Sequence, residues 1–190
     1  MNGKQLKNSI LQWAIQGKLV PQDPNDEPAS VLLERIRAEK ARLVKEKKIK
    51  KDKNESIIYR GEDNSYYEKF LATGEVKCID EEIPFEIPQG WEWSRMGSIG
   101  DWGAGATPAK GNTSYYGGNI LWLRTGELNN SIVNDTEIKI TDKALKECSL
   151  RLNKAGDVLI AMYGATIGKV AIAGCELTTN QACCACTPIE

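Results

Sequence analysis

Between Glu34 and Lys53 ten Lys/Arg stand against four acids, a local charge of +6 in a chain whose net charge is −1. So many cations cannot enter a core unpaired. The stretch must lie against solvent and confine its apolar residues to a narrow stripe. Leu32, Ile36 and Leu43 fall on such a stripe at helical spacing, with a polar gap near Glu39,. Asp26 and Glu27 suit the positive end of a helix, and Pro28 suits its first turn. The pattern predicts one long helix from about Ala29 to about Lys50, with boundaries good to a few residues,. A seam so narrow draws its stability from packing, which points to a partner helix in a short coiled coil. The alternative is a solvated surface helix with ordinary Glu/Lys pairing.

Ahead of it, Leu6, Ile10, Trp13 and Gly17 step along one face of a first helix, flanked by Leu11, Ala14 and Ile15,. Gly17-Lys18 is its expected stop, and the polar run Pro21–Pro28 connects the two helices. From Asp52 to about Glu82 the strand-like pieces Ile57-Ile58-Tyr59, Tyr66-Tyr67 and Val76–Ile79 are broken by Gly61–Ser65 and Thr73-Gly74-Glu75. This stretch reads as a connector with weak β content. Near Ile83 charges thin out and Gly, Thr, Trp and Ala take over. Trp91–Trp93, Ile120–Leu123, Asp157–Ala161, Lys169–Ala173 and Ala182–Thr187 read as strands, and Thr141-Asp142 caps a short helix over Lys143–Cys148. The fold class is therefore α+β, with N-terminal helices followed by a mostly β region. The expected organisation is a helical arm over 1–55, a connector over 56–82 and the β region over 83–190. Pro188-Ile189-Glu190 continues a strand and stops, so that last region is expected to be truncated.

There is no histidine among the 190 residues. That excludes imidazole bases, Ser/His/Asp and Cys/His nucleophile systems and HExxH zinc sites. Cys183 and Cys186 have CxxC spacing, but a second pair at ligand spacing is lacking. The run Gln181–Thr187 reads better as a tightly packed inner strand of small residues. No metal site is expected. No signal-peptide core follows Met1 and no apolar run approaches a membrane span, so the chain reads as cytoplasmic,.

Two glycine-rich stretches imitate cofactor loops. Gly164–Lys169 is one residue short of a P-loop, has Val170 where a magnesium-binding hydroxyl belongs, and leads into a strand. Asp101–Ala106 imitates the S-adenosylmethionine loop of methyltransferases, yet no helix is expected after it. Asn/Asp-Pro-Pro-aromatic, the catalytic segment of adenine and cytosine amino methyltransferases, does not occur. No catalytic residue is assigned.

Taken in order, the segments Leu6–Pro24, Asp26–Ile36, Pro84–Trp93, Gly105–Pro108, Tyr115–Trp122, Met162–Lys169 and Thr179–Ala182 closely resemble the specificity (S) subunit of type I restriction–modification systems. The resemblance covers nearly the whole chain and is weakest over 54–82. It implies a non-catalytic subunit with target recognition domains, each reading one half of a split DNA sequence. Long helices would set the spacing and dock methyltransferase (M) subunits. S-adenosylmethionine would sit on those partners, which methylate a flipped-out adenine, with no cofactor on this chain. A translocase–nuclease (R) subunit would join indirectly. This chain has one recognition region; its oligomeric state is left open by the sequence, and one arrangement open to a half-length chain of this kind is pairing with a second copy through its long helix.

Recognition needs phosphate contacts for register and a few side chains at base edges. The candidates for DNA contact are Lys110, Arg124, Thr125, Lys169, Asn180 and Gln181, the last two being amides suited to adenine edges. Arg124 has a rival reading as a surface salt bridge, and the amides as turn residues. Tyr115, Tyr116, Trp122 and Tyr163 read as core aromatics rather than base-stacking wedges. Gly164 and Gly168 read as turn glycines. Leu32, Ile36 and Leu43 are the partner-docking candidates. Lys45–Lys53 suits the DNA backbone, the M subunit or a solvated helix end equally. Two other function classes stay in view: a small S-adenosylmethionine-dependent DNA methyltransferase, and a protein-binding scaffold without DNA contact.

Overall fold

In the computed structural model, which describes residues 2–189, Asn2 opens the chain by capping helix α1 (Gly3–Ile15). The Asn2 side chain accepts from the Gln5 N–H at 2.9 Å, and the Gln5 side chain accepts from the Asn2 N–H at 2.8 Å,. The helix stops where expected. Gly17 takes a positive φ of 65°, its N–H donates to Ala14 O, and the Lys18 N–H donates to Trp13 O,. Yet no residue of α1 is buried, and Leu6 and Trp13 are both more than half exposed.

The chain divides after Ile99 into two compact units. In the first, helix α2 covers Ala29–Lys45 and ends five residues before the expected Lys50. Lys47 adopts a left-handed φ of 58°, so Lys47 and Lys48 N–H turn back onto Val44 and Leu43 carbonyls. A lysine rarely takes this conformation, so no Gly or Pro marks the end in the sequence. Residues 46–50, expected in the helix, therefore lie outside it. The coiled-coil expectation also changes. Ile36 is only 6% exposed and shares a crevice with Ile57, Ile58 and Trp93 of its own unit. The expected polar gap in the seam is filled by Lys40, which is buried and donates to Gly97 O at 2.8 Å. Leu32 and Leu43 remain half-buried.

The stretch read as a connector is a three-stranded antiparallel meander, β1 (Ser56–Arg60), β2 (Tyr66–Phe70) and β3 (Val76–Cys78). Glu68 is buried at its centre. It accepts from Ser56 Oγ at 2.5 Å and from Arg95 Nε and Nη2 at 3.0 and 2.5 Å. Arg95 also reaches Glu82 at 2.7 Å. Residues 83–99, expected to begin the recognition region, thereby fold with the first unit. The expected strand at Trp91–Trp93 does not form. That segment is tied by single contacts, among them Ala29 N–H to Gly90 O at 2.8 Å and Trp91 Nε1 to Gln22 at 2.8 Å.

The second unit is built from two sheets. One is five-stranded and contains β4 (Gly100–Ala104), β6 (Ile132–Val133), β8 (Val158–Ala161), β9 (Val170–Ala173) and β11 (Cys183–Pro188), in the order β4-β11-β8-β9-β6. The other has β5 (Tyr116–Leu123), β7 (Ile138–Ile140) and β10 (Thr178–Thr179), in the order β10-β5-β7. Strand alternation sorts the side chains. Leu123 points into a core with Leu128, Val133, Leu159, Leu177 and the small residues Ala161, Ala171, Ala173, Cys183 and Ala185. Trp122, one residue earlier, packs with Ile140 and Ala144 under helix α3 (Asp142–Glu147). Thr141 caps α3 as expected, accepting from Ala144 N–H at 3.3 Å. β11 is the inner strand of small residues anticipated from its composition. The strands at 120–123, 157–161, 169–173 and 182–187 are present, whereas β4, β6, β7 and β10 went unread.

Candidate nucleic-acid interface

Strand direction brings three loops, and the start of a fourth, to one rim of the second unit. β5 and β10 run parallel, with Thr178 beside Trp122 and Thr179 beside Leu123, so both end there. β11 is antiparallel to β4 and β8, so it starts where they end. β9 starts where β8 ends. The rim therefore collects 124–131, 162–169, 180–182 and the start of 105–115, whose far end meets Thr141 at the opposite edge, where the Ser114 and Tyr115 carbonyls accept from Thr141. All six DNA-contact candidates fall on these four loops, with Lys110 midway along the one that leaves the rim. Backbone bonds lace the loops together. Asn180 N–H reaches Leu123 O at 2.9 Å, Ala106 N–H reaches Thr179 O at 3.0 Å, Met162 N–H reaches Ala182 O at 2.9 Å and Asn130 N–H reaches Val170 O at 2.9 Å. Gly105 must be glycine, because a Cβ there would lie 2.1 Å from Thr179 O.

The six candidates differ in what they offer. Lys110 and Lys169 are exposed on turns. Arg124 is engaged: Nη2 pairs with Glu137, and Nε lies 3.5 Å from Glu127 Oε1. Glu127 also accepts from the N–H groups of Arg124 at 3.0 Å and Glu137 at 2.9 Å. The salt-bridge reading of Arg124 thus describes its state in the free chain. Thr125 is half-buried at the start of a 3₁₀ turn. Gln181 is exposed and accepts from the Thr107 hydroxyl. Asn180 is half-buried, and its Oδ1 has no hydrogen-bond partner among the described residues.

The balance of charge on these loops is positive. Residues 100–189 hold eight Lys/Arg and eight Asp/Glu, yet the four loops carry Lys110, Arg124 and Lys169 against Glu127 alone. Thr107 and Tyr163 were missed as rim residues. Gly105-Ala-Thr-Pro108 drew attention as a motif, but nothing in it tells which residue faces Gln181. Of the four aromatics expected in the core, Trp122 is buried and Tyr115 and Tyr116 pack beside it, whereas Tyr163 is half exposed on the rim.

The imitation loops resolve structurally. Asp101–Ala104 belongs to an antiparallel edge strand, and Gly164–Lys169 is a hairpin turn in which Gly164 and Gly168 have φ of 85° and 79°. Neither opens a helix. Cys183 and Cys186 lie on opposite faces of β11, so they cannot share a metal,. Burial pushes the Cys183 thiol up to about 11.

Compared with known proteins, residues 88–190 match the family model described as type I restriction modification DNA specificity domain. The chain is 55% identical over 94 residues to the EcoAI specificity subunit of Escherichia coli, covering 50% of this chain and 13% of the relative. It is 48% identical over 105 residues to the EcoEI specificity subunit of the same organism, covering 55% and 14%. The MjaIX specificity subunit of Methanocaldococcus jannaschii is 40% identical over 99 residues, covering 50% and 23%. The matched stretch thus spans less than a quarter of each of these relatives. The solved HsdS subunit from Thermoanaerobacter tengcongensis is similar at 19% identity and a TM-score of 0.45, covering 56% of this chain and 25% of that one.

Proposed function

The chain belongs to the type I restriction–modification DNA specificity family, and from that premise we propose that its rim reads double-stranded DNA, one half of a bipartite target. The observation that carries the proposal is the convergence of three loops and the start of a fourth, with more cations than acids and with two adjacent amides, on one edge of a unit that is neutral as a whole. Lys110 and Lys169 neutralise phosphates, and Asn180 and Gln181 meet base edges, with Thr107 orienting Gln181. Arg124 and Thr125 shape the neighbouring loop and reach the DNA if Glu137 releases the guanidinium. The chain itself catalyses nothing. It works in the cytoplasm with M subunits, which bind S-adenosylmethionine, and indirectly with an R subunit. The helical arm docks the M subunits through Leu32, Leu43 and the bare face of α1. Ile36, already buried, supports that surface from within. Pairing of two copies through the arm would give a reader of a palindromic split site.

Comparing adenine methylation in the source strain with and without this gene identifies the motif. Binding of the chain with its M subunit to that duplex and to scrambled duplexes, across a salt series, then tests the rim. Lys169→Ala should weaken all sequences alike and reduce the salt slope by about 0.9. Gln181→Ala should relax preference at one position, at about 1–3 kcal/mol. An unchanged slope together with unchanged preference would remove both residues from the interface. Specific S-adenosylmethionine binding by the isolated chain would favour the methyltransferase reading instead.

A further inference from the structure

The tip of the β8–β9 hairpin exposes apolar side chains on the rim that the phosphate and base-edge contacts leave unexplained. Ile167 is 68% exposed, Tyr163 50% and Met162 38%. Single exposed apolar residues need no explanation. These three sit within six residues on one turn, two positions ahead of Lys169. The turn is also braced. Gly164 and Gly168 take the left-handed φ values that close it, and a Cβ at either would meet open space, so backbone conformation alone calls for glycine,. Ile167 N–H donates to Gly164 O at 3.2 Å, Lys169 N–H to Thr166 O at 3.0 Å and Gly168 N–H to Ala161 O at 3.0 Å. Its base is tied on one side to Ala182, beside Gln181, and on the other to Asn130. An apolar tip is thus held between two recognition loops, with a cation beside it.

Resting on the reading of the rim as a DNA surface, we infer that this tip is a wedge: Ile167 presses against the base stack and partly unstacks one base step, with Tyr163 behind it. The chemistry fits. Proteins that distort duplexes insert Ile, Leu, Met, Phe or Pro between base steps while cations hold the flanking phosphates. A pre-braced turn spares the wedge the cost of being ordered on binding. The wedge acts through the deformability of the step it opens, so it adds sequence preference at a position that no hydrogen bond reads.

The test uses the chain with its M subunit and duplexes carrying the motif found by methylation mapping. One set carries 2-aminopurine at each step in turn, leaving out the methylated adenine, and a second carries a one-base bulge at each step. The wild type should raise 2-aminopurine fluorescence at one step and bind the duplex bulged there about tenfold more tightly than the intact one, because the unstacking is already done. Ile167→Ala should lose most of the fluorescence rise and the preference for the bulge, with its salt slope unchanged, and Ile167→Met should keep both. Absence of a fluorescence change at every step, or an Ile167→Ala variant that matches the wild type, overturns the wedge and leaves the DNA-reading proposal standing. A loss of M-subunit capture in Ile167→Ala, with DNA distortion intact, also overturns it and assigns the tip to protein contact. Failure of the wild type to bind any motif duplex sinks the reading of the rim itself.

Discussion

The two units hold themselves together by different means. Among the described residues, Ile36, Tyr66 and Ile79 are the buried hydrophobics of 2–99, whereas 100–189 buries sixteen. The second unit closes a dry inter-sheet core in which Leu123, Leu128, Leu159 and Leu177 are completely covered. The first unit places polar groups where a core would be: Lys40 on a carbonyl, and Glu68 between Ser56 and Arg95. It also leaves the apolar face of α1 in solvent. A unit that must present loops rigidly to a ligand benefits from a core that tolerates little movement. A unit built from ion pairs and an uncovered helix has surface left for other chains.

The largest effect should come from the core. Leu159→Ala removes a fully covered side chain from the centre of the inter-sheet cluster and should cost about 3–4 kcal/mol,. Amide hydrogen exchange resolves where the loss falls. Protection should drop across 100–189 and hold across 2–99. An equal drop in both would mean that the units unfold as one and would break the contrast.

A smaller effect, with a pH signature, should come from the clamp in the first unit. Glu68→Gln leaves Arg95 with Glu82 alone and should cost about 2–3 kcal/mol, less than a fully buried pair because Arg95 is partly solvated,. The Arg95 hydrogen bonds, and secondarily that from Ser56, hold the Glu68 carboxyl below its ordinary value despite burial. A depressed carboxylate contributes stability above its unfolded pKa and loses it as pH falls through the folded value. The gap between wild type and Glu68→Gln in urea denaturation should therefore be full at neutral pH and should narrow below about pH 4. A gap that stays constant through that range would mean that the charge is not what stabilises the clamp.

What could be read in the sequence follows the same division. α3 and its Thr141 cap, the Gly17 stop, β8, β9 and β11 were legible because each is signalled within a few residues. β10 is two residues long and pairs with a strand more than fifty positions away, so no local pattern announces it. The clamp was hidden for the same reason: Glu68 and Arg95 are ordinary surface types until the fold brings them together. α2 is stopped by Lys47, just past its last turn, in a conformation that lysine seldom takes. At the rim, residue types were legible and their states were not. Arg124 reads as either a phosphate ligand or a surface salt bridge, and only the position of Glu137 shows that it is already paired.

The smallest expected change in stability makes the contrast sharpest. Leu6 and Ile10 lie on the bare face of α1, 51% and 40% exposed, and alanine has the better helix propensity,. The Leu6→Ala/Ile10→Ala pair should therefore leave the unfolding free energy from urea denaturation within about 0.5 kcal/mol of the wild type, as expected of substitutions that open no cavity. The proposed docking role sets an opposite expectation for assembly. Lys4, Lys7 and Lys18 stand on and beside this helix, and no acid occurs between Asn2 and Gln22. A partner that covers it should present an apolar stripe edged with carboxylates, and capture of the M subunit should fall about tenfold in the variant and weaken with added salt. A stability loss above 1 kcal/mol would mean that α1 is covered within its own chain. Unchanged stability with unchanged capture would move docking to Leu32 and Leu43 on α2. Only loss of capture at constant stability fits a first unit built to be completed by another chain.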